Sequence, residues 1–247
     1  MKYIDVNLFW KSTSNTMEFN LYSKSHIISL LLILLLIVLM FLTKEKLKNN
    51  KRKLGIIISV ILFIQQFLLY YWYIDTGNFT LKESLPLYLC RLSAILCIFM
   101  IVKESYSIFE VVYFWGIPGA IQALLTPDTG GFEFPHVMFL QFFVGHGAIL
   151  IAIFYMMIFY GYEPKLTSVK KAIKWTFVYA FGVGIFNYIV DGNYSYLRRK
   201  PLTASPLDYL PEYPYYIPII VCMFIFAFIL VYIPFYIKQR RKVKSYQ

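Results

Sequence analysis

The stretch SHIISLLLILLLIVLMFLT at positions 25–43, followed at once by KEKLKNNKRK at 44–53, decides the fold class of this chain. The first string carries no Asp, Glu, Lys or Arg, and as a helix it reaches across about 30 Å of hydrocarbon, which takes roughly 20 residues. The second holds six basic residues in ten, the composition of a loop that stays on the cytoplasmic side of a bilayer. An apolar crossing followed by a basic stop is the grammar of a polytopic membrane protein. The same pattern recurs along the chain.

Working outward, further apolar stretches of crossing length run over 55–74, 85–102, 106–125, 136–160, 170–190 and 213–237. The expectation is an all-α polytopic protein, a single bundle of about seven transmembrane helices over residues 1–247. Seven crossings put the termini on opposite faces. Of the 24 Lys and Arg, 16 fall on the side that carries Lys44–Lys53, Lys103, Lys165–Lys174 and Lys238–Lys244. The positive-inside rule makes that side cytoplasmic. The N-terminal segment 1–24 is then outside, and residues 238–247 form a basic cytoplasmic tail. The third crossing is the shortest, and Arg91 interrupts it.

Composition agrees. The 247 residues are 59% hydrophobic and 15% charged, too little polar surface for a water-soluble globule of this length. The net charge of +11 lies in runs between apolar stretches, as topology requires, so no nucleic-acid partner is expected. The first 23 residues mix Asp5 and Glu18 with Lys2 and Lys11, unlike the basic start of a cleaved signal peptide, and the first apolar stretch reads as a retained helix. No CxxC or HExxH spacing occurs, so neither a metal nor a cofactor is called for. Cys90 and Cys97 are about 10 Å apart along one helix, too far for a disulfide.

Small residues at 116 and 120, 148 and 152, and 180 and 184 have the spacing that lets membrane helices approach closely. Pro118 inside the fourth crossing releases the carbonyl of Phe114 and is expected to kink that helix.

The out-of-character residues concentrate in the outer half. Cys90 and Arg91 lie one to two turns below the outer surface; Gln122 and Asp128 end the fourth crossing; His136 opens the fifth, with His146 roughly 15 Å deeper; Asn187, Asp191 and Asn193 close the sixth. Polar groups are costly in lipid and face the bundle interior or a wet cavity. Several at one depth suggest a shared pocket; the alternative is interhelical hydrogen-bond glue worth about 0.6 kcal/mol apiece. His146 needs a partner, whether Gln122, Asn187 or a thiol. Arg91 could snorkel to the headgroups, pair with Asp75, Asp128 or Asp191, or grip a phosphate with its guanidinium. Arg198, Arg199 and Lys200 read as contacts to lipid phosphates, and the tyrosines at 209–216 as an interface belt.

Four strings together, LPLYLCRLSAIL (85–96), YFWGIPGAIQALLTPD (113–128), FPHVMFLQFFVGHG (134–147) and the stretch from GNYSYLRRKP to YPYYI (192–217), are similar to the YwaF-like bacterial integral membrane proteins and their eukaryotic relatives, the transmembrane protein 164 family. The eukaryotic branch is described as a membrane acyltransferase acting on phospholipids through an essential cysteine and histidine. The resemblance, which extends more distantly to membrane lipid hydrolases, implies an acyltransferase or lipid hydrolase with Cys90 as nucleophile and His146 as base, in a cell-membrane protein whose partner is membrane phospholipid. This chain departs from the pattern at Tyr88, where relatives often carry His, and at Tyr213 and Tyr215, where they carry Trp. In that chemistry Arg91, Gln122, Asp128, His136, Asn187 and Asn193 are the candidate substrate-binding residues, with Gln122, Asn187 or Asn193 as oxyanion donors. The alternatives are a non-catalytic lipid-binding protein and a transporter of lipids or small molecules.

Overall fold

The computed structural model describes residues 6–11, 19–200 and 206–244. Parts of the expected outer segment 1–24 and of the tail 238–247 therefore lie outside the described residues. The long helices are α1 (Lys24–Leu42), α2 (Lys51–Asp75), α3 (Leu89–Val102), α4 (Tyr106–Leu125), α5 (Val137–Tyr160), α6 (Leu166–Val190) and α7 (Tyr216–Lys244). All but α3 are long and apolar enough to cross a membrane, which gives six such helices among the described residues. The protein is an all-α, multi-pass membrane protein. Large apolar side chains such as Leu34, Phe63, Phe181 and Ile189 point outward, the arrangement lipid favours.

Burial identifies the centre of the bundle. Just over half of the apolar window is buried in both α4 and α5, against 17% in α6 and α7 and 11% in α1. Helices α4 and α5 meet at Gly116, where a Cβ would lie 2.6 Å from Ile153 Cδ1 and 2.9 Å from Ile149 Cγ2. Ala120, Ala148 and Ala152 are buried in the same core, so the first two small-residue pairs work as expected. The third does not: a Cβ at Gly184 would meet nothing within 4 Å. Helix α4 runs on as one element through Pro118.

The expected third crossing over 85–102 is corrected at its start. Regular α3 begins only at Leu89 and has 14 residues, roughly 21 Å of helix. Pro86 explains this: it donates no backbone hydrogen bond and disfavours the helical region for Leu85 before it. Elsewhere the sequence boundaries move by a few residues; α6, for instance, starts at Leu166, where Ser168 Oγ accepts from Lys165 N (3.1 Å).

The contacts between connections sort them into two ends. At one, Tyr155 Oη donates to Lys51 O (2.8 Å), Tyr162 bonds to Glu104 O, and Lys238 pairs with Glu163. At the other, Trp10 bonds to Asp75 (2.7 Å), Ser23 to Glu133 (3.2 Å), Tyr196 to Asp128 (3.4 Å) and Lys82 to Asp191 (2.9 Å). The first, basic end gathers residues 51, 104, 155–163 and 238. The second gathers the conspicuous polar residues and is the site end. His26 anchors the otherwise exposed α1 there: it is fully buried, accepts from Tyr22 N at Nδ1 (3.0 Å), and donates from Nε2 to Leu124 O (2.8 Å).

Candidate functional site

At the site end, the irregular turn before α3 would be costly if its backbone polar groups were left unpaired in an apolar bundle. Three supports, built from four side chains, meet that need. The Arg91 guanidinium donates to the carbonyls of Glu83 (2.9 Å), Ser84 (3.2 Å) and Leu85 (3.3 Å) and to Tyr73 Oη (2.7 Å), and it lies over the rings of Tyr88 and Tyr73. It is bonded to none of Asp75, Asp128 or Asp191. Tyr194, fully buried, donates from its hydroxyl to Leu81 O (2.8 Å) and accepts from Leu85 N (2.9 Å).

The third support is a short relay. Tyr179 Oη donates to Leu87 O (2.6 Å). A phenol has one proton, so in its contact with Ser195 Oγ (2.5 Å) the serine is the donor. Ser195 Oγ in turn accepts from Leu89 N (3.3 Å). The serine thus caps α3 from another loop, because its own N-cap, Tyr88, supplies no side-chain bond. Tyr88 packs edge-on against Tyr194 and Tyr196.

Cys90 follows directly as the second residue of α3. Its thiol packs against α4, where a Cβ on Gly119 would sit 3.7 Å from Cys90 Sγ. Gln122, one turn further along the same face of α4, is exposed. The backbone N–H groups of Cys90 and Arg91, at the free start of α3, have no acceptor among the described residues. They leave a pair of orphan donors beside the thiol, at the positive end of the helix dipole.

His146 sits on α5, which packs against α3. Its Nδ1 meets Phe142 O at 2.8 Å; only N–H can donate to a carbonyl, so Nδ1 carries the proton and Nε2 keeps its lone pair. Nε2 makes no hydrogen bond among the described residues and is not one of the sealed, unpartnered atoms. Arg91 lies within electrostatic range of both Cys90 and His146. No hydrogen bond joins the thiol to the imidazole among the described residues.

The remaining candidates are held elsewhere. Asn187, fully buried, donates to Tyr194 O (3.0 Å) and accepts from Tyr194 N (2.8 Å), engaging both ends of its amide. Asn193 donates to Arg199 O and accepts from the amides of Arg198 and Arg199. Asp128 accepts from Gly130 N (3.2 Å) and Tyr196 Oη. His136 caps α5 by accepting from Met138 N at Nδ1 (3.1 Å), donates from Nε2 to Lys11 O (2.8 Å), and stacks on Phe132 with ring centres 3.9 Å apart. Burial holds its pKa below the usual histidine value, with the Lys11 bond opposing. Asp191 gathers Lys82, Arg198 and Arg199; the hydrogen bond from Lys82, then the two arginines, hold its carboxyl below the usual range.

Sequence reasoning did not single out Tyr179, Tyr194 or Ser195. For Tyr194 and Ser195 the signal was the NYSY string at 193–196, which only the fold brings against PLYLC. No curated protein and no solved structure matches the chain. A family model does, over residues 21–232 and so over most of its length, and on that match the chain belongs to the TMEM164 family.

Proposed function

We propose that this protein is a membrane-embedded lipid acyltransferase in which Cys90 is the nucleophile and His146 the base, in a cleft in the outer half of the bilayer. The observation that carries the reading is the polarity of His146: with Nδ1–H given to Phe142 O, the free Nε2 is the atom a general base needs, on a helix packed against the one that bears Cys90. The position of Cys90 adds support, since the start of α3 puts unpaired backbone N–H groups beside its sulfur.

In the first half-reaction the Cys90 thiol passes its proton to His146 Nε2, and sulfur attacks an ester carbonyl of the donor lipid. The amides of Cys90 and Arg91 are placed to receive the oxyanion. Collapse releases the lysolipid alcohol, which takes the proton back from His146, and leaves a Cys90 thioester. An acceptor hydroxyl, deprotonated by His146, then attacks the thioester and restores the thiol. Gln122, exposed on the Cys90-facing side of α4, is the polar group for the incoming lipid.

The topology and the kinship with the YwaF-like bacterial proteins belong to the same proposal. α3, extended by the braced turn at 81–88, is the seventh crossing, the basic end is cytoplasmic, and the N-terminus lies outside. A cleft facing outward is remote from cytoplasmic acyl-coenzyme A, so the acyl donor is a phospholipid already in the membrane. The test is transfer of labelled acyl chains from phospholipid in membranes of wild type, Cys90→Ser and His146→Ala. Transfer without acyl-coenzyme A, lost in both variants, is expected; transfer that survives Cys90→Ser would remove the nucleophile, and strict dependence on acyl-coenzyme A would remove the donor. The absence of a direct Cys90–His146 hydrogen bond among the described residues favours a second reading, lipid binding without chemistry, in which Cys90→Ser retains lipid and no transfer occurs in any form. A transporter is disfavoured because Glu110, the intramembrane carboxylate, is already paired with Lys171 (2.8 Å) and Ser168 (2.7 Å).

A further inference from the structure

Helix α2 carries a run of polar atoms that the bundle leaves short of partners. Ser59 Oγ and Gln66 Nε2 are buried and lack hydrogen bonds among the described residues, and Tyr70 Oη, also buried, has the Arg91 guanidinium as its polar neighbour. Their positions share one face, since at 3.6 residues per turn residues 59, 66 and 70 fall within a narrow arc. That face is turned toward α3. At one end of it a Cβ on Gly55 would meet Tyr155 of α5 first (2.5 Å to Oη) and then Ile101 Cγ2 of α3 (3.0 Å), so α5 borders the face there, and at the other end Tyr73 Oη accepts from Arg91; residues 55 and 73 are five helical turns apart and so mark one line. On α3 itself Ser93 Oγ, one turn below Cys90, is also buried and unpartnered.

Buried polar atoms in native proteins are hydrogen-bonded to protein or to ordered water. Here the groups are neutral, Ser59 and Gln66 are each 7% exposed, and they are spaced by one and two turns along a packed interface. Such sites suit water, which needs a polar niche and two to four partners. Tyr70 and Tyr73 stand at the site end of the line, both half-buried and beside Arg91. Gln65, next along the helix, is satisfied differently: it accepts from Gln141 (3.1 Å) and donates to Leu62 O and Gln66 Oε1, whereas Gln66 Nε2 has no acceptor among the described residues.

We propose that the α2–α3 interface is a hydrated seam, a file of bound water that enters beside Arg91 and Tyr70 and runs past Gln66 to Ser59. It places water and a proton-relay medium inside the bundle, along the helix that carries Cys90, without requiring the helices to part. The seam stands whether or not Cys90 is a nucleophile.

The test is cysteine accessibility in the full-length protein in membranes. Gln66→Cys and Ser59→Cys are exposed to a small, water-soluble, cationic methanethiosulfonate, and modification of each site is followed by mass spectrometry. Ala152→Cys, in the sealed core, and the native Cys222, exposed on the outside of α7, are controls. A wet seam gives modification at 66 and 59 at least about tenfold faster than at 152 or 222, because only hydrated thiols ionise and react readily. Rates at both positions equal to the Ala152→Cys control would overturn the proposal. Thermal unfolding of each variant confirms that the fold is kept, and Ser93→Cys supplies a further site should either α2 variant fail to fold; its modification at the rate of the sealed control would likewise count against the seam.

Discussion

Replacing Asn187 by alanine tests whether the α6 end holds the turn before α3 through Tyr194. Asn187 is fully buried and spans the backbone of Tyr194 with bonds of 3.0 and 2.8 Å. Removing it leaves the buried Tyr194 N–H unpaired, at about 1–3 kcal/mol, and takes one of two donors from Tyr194 O, which keeps Leu197 N at 3.3 Å. The expected loss is about 2–3 kcal/mol. For a chain of this size that lowers the apparent thermal midpoint by roughly 4–12 °C, read in detergent at one fixed heating rate because membrane-protein unfolding is commonly irreversible. Tyr194→Phe removes the hydroxyl that joins Leu81 O to Leu85 N, at about 1–2 kcal/mol. If Asn187 acts by positioning Tyr194, the double variant loses less than the sum by about 1 kcal/mol or more, as residues in one network do. Strict additivity would show that the two residues act independently and would refute the chain of support from α6 to PLYLC.

Two glycines on α4 should respond in opposite ways to alanine. Gly116→Ala meets Ile153 and Ile149 inside van der Waals distance and is expected to destabilise by about 1–3 kcal/mol; Gly119→Ala meets only Cys90 Sγ at 3.7 Å and should gain about 0.5–1 kcal/mol of helix stability, both read by thermal unfolding. Arg91→Lys keeps the charge but cannot span three carbonyls and a phenol, so a stability loss of about 2–3 kcal/mol is expected, and a wild-type midpoint would contradict the bracing role. His136 has a folded-state pKa below its free value of 6.5, so the unfolded chain binds its proton first; the stability it contributes is complete above that value and falls as pH drops through it toward the folded pKa. His136→Asn, which keeps an N-cap, should remove this part of the pH dependence of the thermal midpoint.

The helices were legible because an uncharged apolar segment of crossing length suits little besides a lipid bilayer, and basic runs such as Lys44–Lys53 mark one end of the bundle in composition alone. What could not be read was which polar residues serve chemistry and which serve backbone. Asn187 and Arg91 look alike in sequence to ligand-binding groups, yet their partners are main-chain atoms of Tyr194 and of residues 83–85. Main-chain demand depends on where a helix breaks. Pro86 signals that α3 starts late, but nothing local says that Tyr179 and Ser195, about a hundred residues further on, will be the groups that pin Leu87 and Leu89. His136 shows the same ambiguity: its cap at Met138 N is local and its bond to Lys11 O is not.

The break before α3 links these observations. An uninterrupted helix over 85–102 would bury the amides of Cys90 and Arg91 in ordinary i to i−4 bonds and place the thiol in mid-helix, where nothing favours its ionisation. Starting the helix at Leu89 instead leaves those two amides unpaired beside the sulfur, at the cost of an unwound turn that must be satisfied at membrane depth. Arg91, Tyr194, Tyr179 and Ser195 supply the partners. Arg91 is therefore better understood as a positioning residue than as a phosphate ligand: its guanidinium is occupied by the turn, and its charge reaches the thiol only as a consequence. On this view Arg91→Lys should weaken any thiol-dependent reaction and stability together, whereas loss of a phosphate ligand would raise the lipid concentration needed for half-maximal rate and leave the thermal midpoint unchanged.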